Sequence, residues 1–329
     1  MRHVPRYGVL GTFLAGLLSV ALMPGPNASA ATDTDPWVFV SSPDWFNTDV
    51  ADLSGNTPPV PEAPGWSAGA SDGVNGISPQ MQAVYSQLAG EMAAYGPEAF
   101  LVAGDLVNGR WFTAETLDMF APGSRDRVDA IDTAAAIYYA WYRRLFEAHG
   151  LPLVVAAAGD HELGDDPWLA GAENTVHVET MKRAFVREMV ETLDPPEPFP
   201  GVPAAPPSTD GYFASFAFRL RNVLFVSVDE FDGLAAGEPA DPWVGTLRLR
   251  VDGHHLAWLA QVLAAADADP SIDHVVVQGH APAIDPVRMR TTSGLMVASR
   301  EDSQLWQLLR QHDLSRGGKV RLYFAGEVH

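Results

Sequence analysis

Short apolar runs that stop abruptly at a small residue, separated by segments of helical periodicity, constrain this chain more than any other feature. The runs are "PWVFVSS" (36–42), "AFLVAG" (99–104), "LPLVVAAAG" (151–159), "YFASFAFRL", "VLFVSVD", "HVVVQG" and "VRLYFAG". Each has the length of a buried strand. "YFASFAFRL" and "VLFVSVD" meet at Arg221-Asn222, which predicts a hairpin. Between the runs, residues 80–95, 127–149, 178–193, "HHLAWLAQVLAAAD" and "EDSQLWQLLRQH" carry apolar side chains at helical spacing, with Gly150 and Pro152 as a stop signal. Strands alternating with helices predict an α/β fold.

The first thirty residues stand apart from that pattern. They combine a basic start (Arg2, Arg6), an apolar stretch from about Val9 to Met23, and Ala28-Ser29-Ala30. This order is that of a secretory signal peptide cut after Ala30. The apolar run is short for a membrane span, so no stable span is expected after cleavage and the mature protein is expected outside the cytoplasm. The expected organisation is a signal peptide over 1–30 and one catalytic domain over 31–329. Because the chain ends on His329, at a strand tip, the natural protein is expected to run further.

With 47% apolar residues the chain can bury a sizeable core, and with no cysteine it has neither disulfides nor thiolate metal sites. Removing residues 1–30 takes away Arg2 and Arg6 and no acid, moving the net charge from -20 to -22. That balance argues against nucleic acid or an anionic membrane as partner. Residues 54–79, and the Pro-dense "DPPEPFPGVPAAPPSTD" (194–210), exclude a helix or a central strand and read as long loops.

The strand ends carry one kind of chemistry. "WVFVSS" is followed by Pro43-Asp44, "FLVA" by "GDLVNGR" with Asp105, "LVVAAA" by "GDHE" with Asp160 and His161. "HVVVQ" is followed by "GHAP" with His280, and "RLYFA" by "GEVH" with Glu327 and His329. In open α/β sheets ligands bind beyond the carboxyl ends of strands. Acids and imidazoles gathered there suit Mn, Fe, Zn or Mg. Singly, each residue has an ordinary use. Asp44, Asp105 and Asn108 can close turns, Asp160 can cap a helix, His280 can be a hydrogen-bonded loop imidazole, and Glu327 can be a solvated acid. Convergence at one rim is what sets them apart.

Other residues read as structural. Tyr138, Tyr139, Trp141 and Tyr142 cover several faces of one helix and suggest core packing. His254-His255 reads as surface, and His177 as a loop residue within reach of the site. Asp229, Glu230 and Asp232 in "VSVDEFD" read as a solvated strand end rather than a second cation site.

In this order the motifs resemble the calcineurin-like metallophosphoesterases, over residues 37–329. That family's signature is Asp-x-His, Gly-Asp, Gly-Asn-His-Glu, Gly-His and Gly-His-x-His, each after a strand. The resemblance implies a layered sandwich of mixed β-sheets flanked by helices. It also implies hydrolysis of a phosphoester substrate by two divalent ions (Mn, Fe, Zn, Mg or Ca) with a water between them as nucleophile. It makes Asp105 the bridging ligand, Asp44 and His329 ligands of the first ion, and Asp160, His280 and Glu327 ligands of the second. His161 would protonate the leaving oxygen, oriented by Glu162 or a backbone carbonyl, and Arg110 would hold a phosphate oxygen.

The chain departs from the signature at three positions. Phe46 stands where the family has its first His, with Asn47 and Asp49 nearby as substitutes, Asp160 replaces Asn, and Glu327 replaces His. The added carboxylates favour hard, oxygen-loving cations. The loss at Phe46 allows an alternative, a catalytically weakened exported binding domain on the same scaffold.

Overall fold

Strands buried along their whole length build two sheets back to back. The computed structural model describes residues 19–22, 36–45, 79–151, 153–164, 176–193, 197–198, 214–233, 247–249, 251–284 and 303–327. Phe46, Asn47, Asp49, His329 and most of the two long loops lie outside the described residues.

The first sheet has the order β1 (Ser19–Leu22), β2 (Val38–Ser41), β3 (Ala99–Val102) and β4 (Val154–Ala156). β2, β3 and β4 run parallel, and β1 pairs antiparallel with β2. β1 belongs to the apolar stretch read as a signal peptide, so cleavage after Ala30 would leave β2 as the outer strand. The second sheet begins with β5 (Glu197–Pro198), β6 (Phe216–Leu220) and β7 (Val223–Ser227). After a small antiparallel pair, β8 (Phe231–Gly233) with β9 (Leu247–Leu249), it continues with β10 (His274–Gln278) and β11 (Val320–Phe324). Its order is β11-β10-β7-β6-β5, with β10 parallel to both β7 and β11. The β6–β7 hairpin turns at Arg221, whose φ of 53° is the left-handed conformation such a tight turn needs. β5, inside the Pro-dense stretch, is a two-residue edge strand, a place where proline is tolerated.

Neighbouring residues on a strand face opposite ways, and both faces here are apolar. Phe39, Leu101 and Val155 of the first sheet meet Phe216, Phe218, Phe225 and Val276 of the second in a buried layer. Phe225 packs edge-on to Phe39 at 5.4 Å and to Trp37 at 6.2 Å. A buried polar link crosses the layer from Gln278 Nε2 to the carbonyl of Val155 (3.0 Å). Val40, Phe100 and Val154 face the other way, and Phe100 meets Phe146 of a helix at 4.9 Å.

The helices are α1 (Pro79–Ala93), α2 (Ala114–Phe120), α3 (Arg127–Ala148), α4 (Val178–Phe185), α5 (Gly253–Ala268) and α6 (Gln304–Gln311). Asp126 caps α3 and Ser303 caps α6, each accepting a backbone N–H of the first turn. Tyr138, Tyr139, Trp141 and Tyr142 are buried, as core packing requires. α4 runs into a π-helical turn over Val186–Val190. Leu224, Val226, Val275 and Val277 of the second sheet share a hydrophobic cluster with Trp258, Leu259 and Val262 of α5. The expected α/β sandwich of mixed sheets with flanking helices is therefore present. No helix among the described residues is long and apolar enough to cross a membrane.

Two readings need correction. His255 is buried, because the first turn of α5 directs it inward to Ser215 Oγ (2.8 Å) while His254 stays exposed. Asp229 and Glu230 do not form a solvated strand end. Both are buried, and Asp229 is paired with the equally buried Lys182 at 2.7 Å.

Phe225 touches aromatic rings of both sheets, so Phe225→Ala should destabilise the protein by about 3–5 kcal/mol. Chemical denaturation measures this, and a loss below about 1 kcal/mol would contradict the packing described.

Candidate metal centre

Parallel strands put their carboxyl ends on one side, so the loops after β2, β3, β4, β10 and β11 reach a common rim. Four side chains from four of these loops meet there. Asp105, Asp160, His280 and Glu327 each offer a ligand atom, and all four atoms lie within 4.8 Å of one another. His280 Nε2 is 3.0 Å from Asp160 Oδ1, 3.3 Å from Asp105 Oδ2 and 3.6 Å from Glu327 Oε2.

These close approaches do not satisfy the atoms as hydrogen bonds. Asp105 Oδ2, Asp160 Oδ1 and His280 Nε2 are buried without a hydrogen-bond partner among the described residues. Buried polar atoms are normally paired, and a converging set that is not has the character of a cation site. The other atoms are tied down. His280 Nδ1 lies 2.7 Å from the carbonyl of Ala103, so it carries a proton and leaves Nε2 turned toward the carboxylates. Asp105 Oδ1 accepts the N–H of His161 at 3.2 Å. Three carboxylates and one imidazole suit a hard to borderline divalent cation.

Backbone strain accompanies the convergence. Asp105 and Glu327 have φ values of 59° and 55°, and Asp44 has 60°, the left-handed region that non-glycine residues rarely occupy. Two glycines allow the loops to close in. A Cβ on Gly159 would lie 2.2 Å from Asp105 Oδ1. A Cβ on Gly326 would lie 2.9 Å from both Asp44 Oδ1 and His280 Nδ1, which also places Asp44 at this rim. Asp44 stands outside the group of four. Its N–H donates to the carbonyl of Gly104 (3.2 Å), and the next residue, Trp45, is sunk among Tyr85, Phe100 and Phe146.

Asp160 makes no capping hydrogen bond to the 3-10 turn His161–Leu163, so its ordinary alternative as a helix cap does not hold. His161 begins that turn, half-buried and outside the group of four. The carbonyl of His161 accepts the N–H of Gly109 at 2.7 Å, which sets the backbone of Arg110 beside the turn.

Glu162 does not orient the His161 side chain. Its carboxylate points inward and accepts four backbone N–H groups, those of Asp105 (2.8 Å), Leu106 (2.7 Å), Val107 (3.1 Å) and Gly159 (2.7 Å). It thereby locks the loop after β3 to the loop after β4. On the second sheet Glu230 accepts the N–H of His280 and of Ala281, and Tyr323 donates to it. Sequence reading missed both roles, because an acid that serves backbone donors has the same letter as a ligand or a surface charge.

The electrostatics follow from burial and crowding. Burial disfavours the imidazolium of His280, yet Asp105, Asp160 and Glu327 together raise it well above the usual histidine range. Burial holds the carboxyl of Asp105 well above its usual range, against the pull of His280. Burial also opposes ionisation of Asp160, but His161 and His280 outweigh it and hold that group low. Burial pushes Glu230 up to about 7.

No family model matches the chain, and no curated protein matches it. Among solved structures, a dimetal phosphatase from Danio rerio is similar at 14% identity and a TM-score of 0.49, over 89% of this chain and 82% of that one.

Without a cation, protons on His280 and Asp105 offset the crowded negative charge. The raised value of His280 contributes stability that is full in acid and lost as pH rises through its folded value. The raised value of Asp105 also costs stability as pH rises above the ordinary carboxylate range, while Asp160 works the other way. His280 and Asp105 act in the same direction, and Asp160 alone opposes them. The cation-free protein should lose stability as pH rises through and beyond the ordinary carboxylate and histidine ranges, and saturating Mn2+ should restore more of it at the alkaline end. Thermal denaturation with and without Mn2+ over that range tests the sign.

Proposed function

We propose that this chain is an exported, metal-dependent phosphoester hydrolase of the calcineurin-like kind. The observation that carries this reading is the convergence of ligand atoms of Asp105, Asp160, His280 and Glu327 within 4.8 Å, three of these residues each having a buried atom without a hydrogen-bond partner among the described residues. Asp105 would be shared by two cations, Asp44 and His329 would complete the first site, and Asp160, His280 and Glu327 would form the second. When bound, two divalent cations would supply acidification of a water and neutralisation of phosphoryl oxygens.

The remaining work falls to the chain. His161, beside the bridging carboxylate, would give a proton to the departing oxygen, a contribution of about 10²–10⁴-fold. Arg110, in the loop bonded to the carbonyl of His161, would grip phosphate oxygens. Asp44, Asp105, Asp160 and Glu327 together balance the charge of two divalent cations, so attraction for a phosphate dianion would depend strongly on Arg110. The oxygen-rich donor set favours Mn, Mg or Ca over Zn. The binding-domain alternative rests on Phe46 in place of a histidine ligand, and it requires metal binding without turnover.

The purified protein should hydrolyse p-nitrophenyl phosphate or its bis ester with one of Mn, Mg, Ca or Zn added, and lose that activity to a chelator. His161→Ala should reduce turnover by about 10²–10⁴-fold with metal content unchanged. Metal uptake without turnover of either ester would favour the binding domain, and unchanged turnover in His161→Ala would remove the histidine from its role.

A further inference from the structure

We propose that Glu230, acting with Tyr323, is a positioning residue that sets the direction of the His280 imidazole toward the cation, an inference that rests on the metal centre described above. Glu230 lies outside the group of four and reaches the site through the backbone of the loop that carries His280. Its Oε2 accepts the N–H of His280 at 2.8 Å and that of Ala281 at 2.6 Å. Its Oε1 is 2.5 Å from the hydroxyl of Tyr323, which is itself 2.7 Å from the carbonyl of Ala281. One carboxyl group and one phenol thus hold both N–H groups and the carbonyl around the ligand residue.

The bracket is tight and well founded. A Cβ on Gly279 would lie 2.6 Å from the Glu230 carboxyl and 2.6 Å from the Tyr323 oxygen, so the loop is wrapped directly on the pair. The preceding residue, Asp229, is anchored by Lys182 at 2.7 Å, and its N–H donates to Ser215 Oγ at 2.7 Å. The main chain of Glu230 therefore cannot drift. The imidazole itself is held by Nδ1 on the carbonyl of Ala103, on the opposite sheet. With its main chain fixed by Glu230 and its ring fixed by Ala103, Nε2 keeps one direction. Outer partners of this kind typically change metal affinity by about 10–100-fold when removed.

The side chain of glutamine can reproduce the bracket. Its carbonyl oxygen accepts both N–H groups, and its amide donates to the Tyr323 oxygen, whose single proton then turns to the carbonyl of Ala281. Alanine leaves two buried donors without an acceptor. Tyr323→Phe removes the phenol and keeps the two N–H bonds.

The test uses the full chain, with Mn2+ affinity measured by calorimetry and bound Co2+ followed by its visible absorption. Glu230→Ala should weaken Mn2+ binding about 10–100-fold and alter the Co2+ spectrum. Glu230→Gln should restore both, a rescue that loss of fold would not show. Tyr323→Phe should weaken binding by a smaller factor and shift the Co2+ spectrum in the same direction. Parent-like affinity and spectrum in Glu230→Ala would overturn the proposal, and so would a glutamine variant as impaired as the alanine one. If Glu230→Ala does not fold, an unchanged Co2+ spectrum in Tyr323→Phe overturns it instead. A parent protein that binds neither Mn2+ nor Co2+ would defeat the metal centre itself, and this inference with it.

Discussion

A buried carboxylate that accepts four backbone N–H groups holds the rim of the first sheet together. Glu162 is fully enclosed, and placing an ionised acid there costs several kcal/mol unless its oxygens are hydrogen-bonded. Asp105, Leu106, Val107 and Gly159 supply those bonds from two different loops. The loops in turn have their donors satisfied by one acceptor, which removes the penalty of about 1–3 kcal/mol that each unpaired buried group would carry. Neither loop could keep its shape alone. Strand geometry brings Asp105 and Asp160 to one rim, and this mutual satisfaction fixes the loops that display them.

The same device recurs on the second sheet with Glu230, and the candidate centre lies where the two braced rims face each other. That arrangement explains why strain is tolerated there. Asp44, Asp105 and Glu327 hold left-handed conformations that cost about 1–3 kcal/mol each. Such conformations persist only where the surroundings leave no alternative. Trp45, sunk in the aromatic core beside Asp44, and Glu162, bound to the N–H of Asp105, provide that surrounding. The acids are thereby held near one another against their repulsion, which is the condition for a cation to add stability when it arrives.

Much of this was legible in the sequence, for a physical reason. A strand that is buried on both faces must be apolar throughout, and a loop that turns at its tip needs a small residue, so "FLVAGD" and "VVVQGH" mark both the strand and the site. The hairpin at Arg221-Asn222 and the long α3 were equally open to view. Short elements were not: α2 and the β8–β9 pair are too brief to show a period. β4 was read over 151–159 and spans only Val154–Ala156, because Ala157 and Ala158 stay buried while leaving the ladder for the site. The roles of Glu162, Glu230 and His255 depend on which atoms face them across the fold, and no local pattern records that. Apolar periodicity announces a core. A polar residue turned inward has no such signature.

The candidate ligands come from loops after strands of both sheets, from the first parallel strand to the last one described. No short contiguous piece of the chain therefore contains the centre, and a partly folded intermediate with one sheet formed would hold at most half of it. Ion capture becomes a late event that reports completion of the whole sandwich. If the chain is exported as proposed, loading would take place after translocation, from whatever ions that compartment offers.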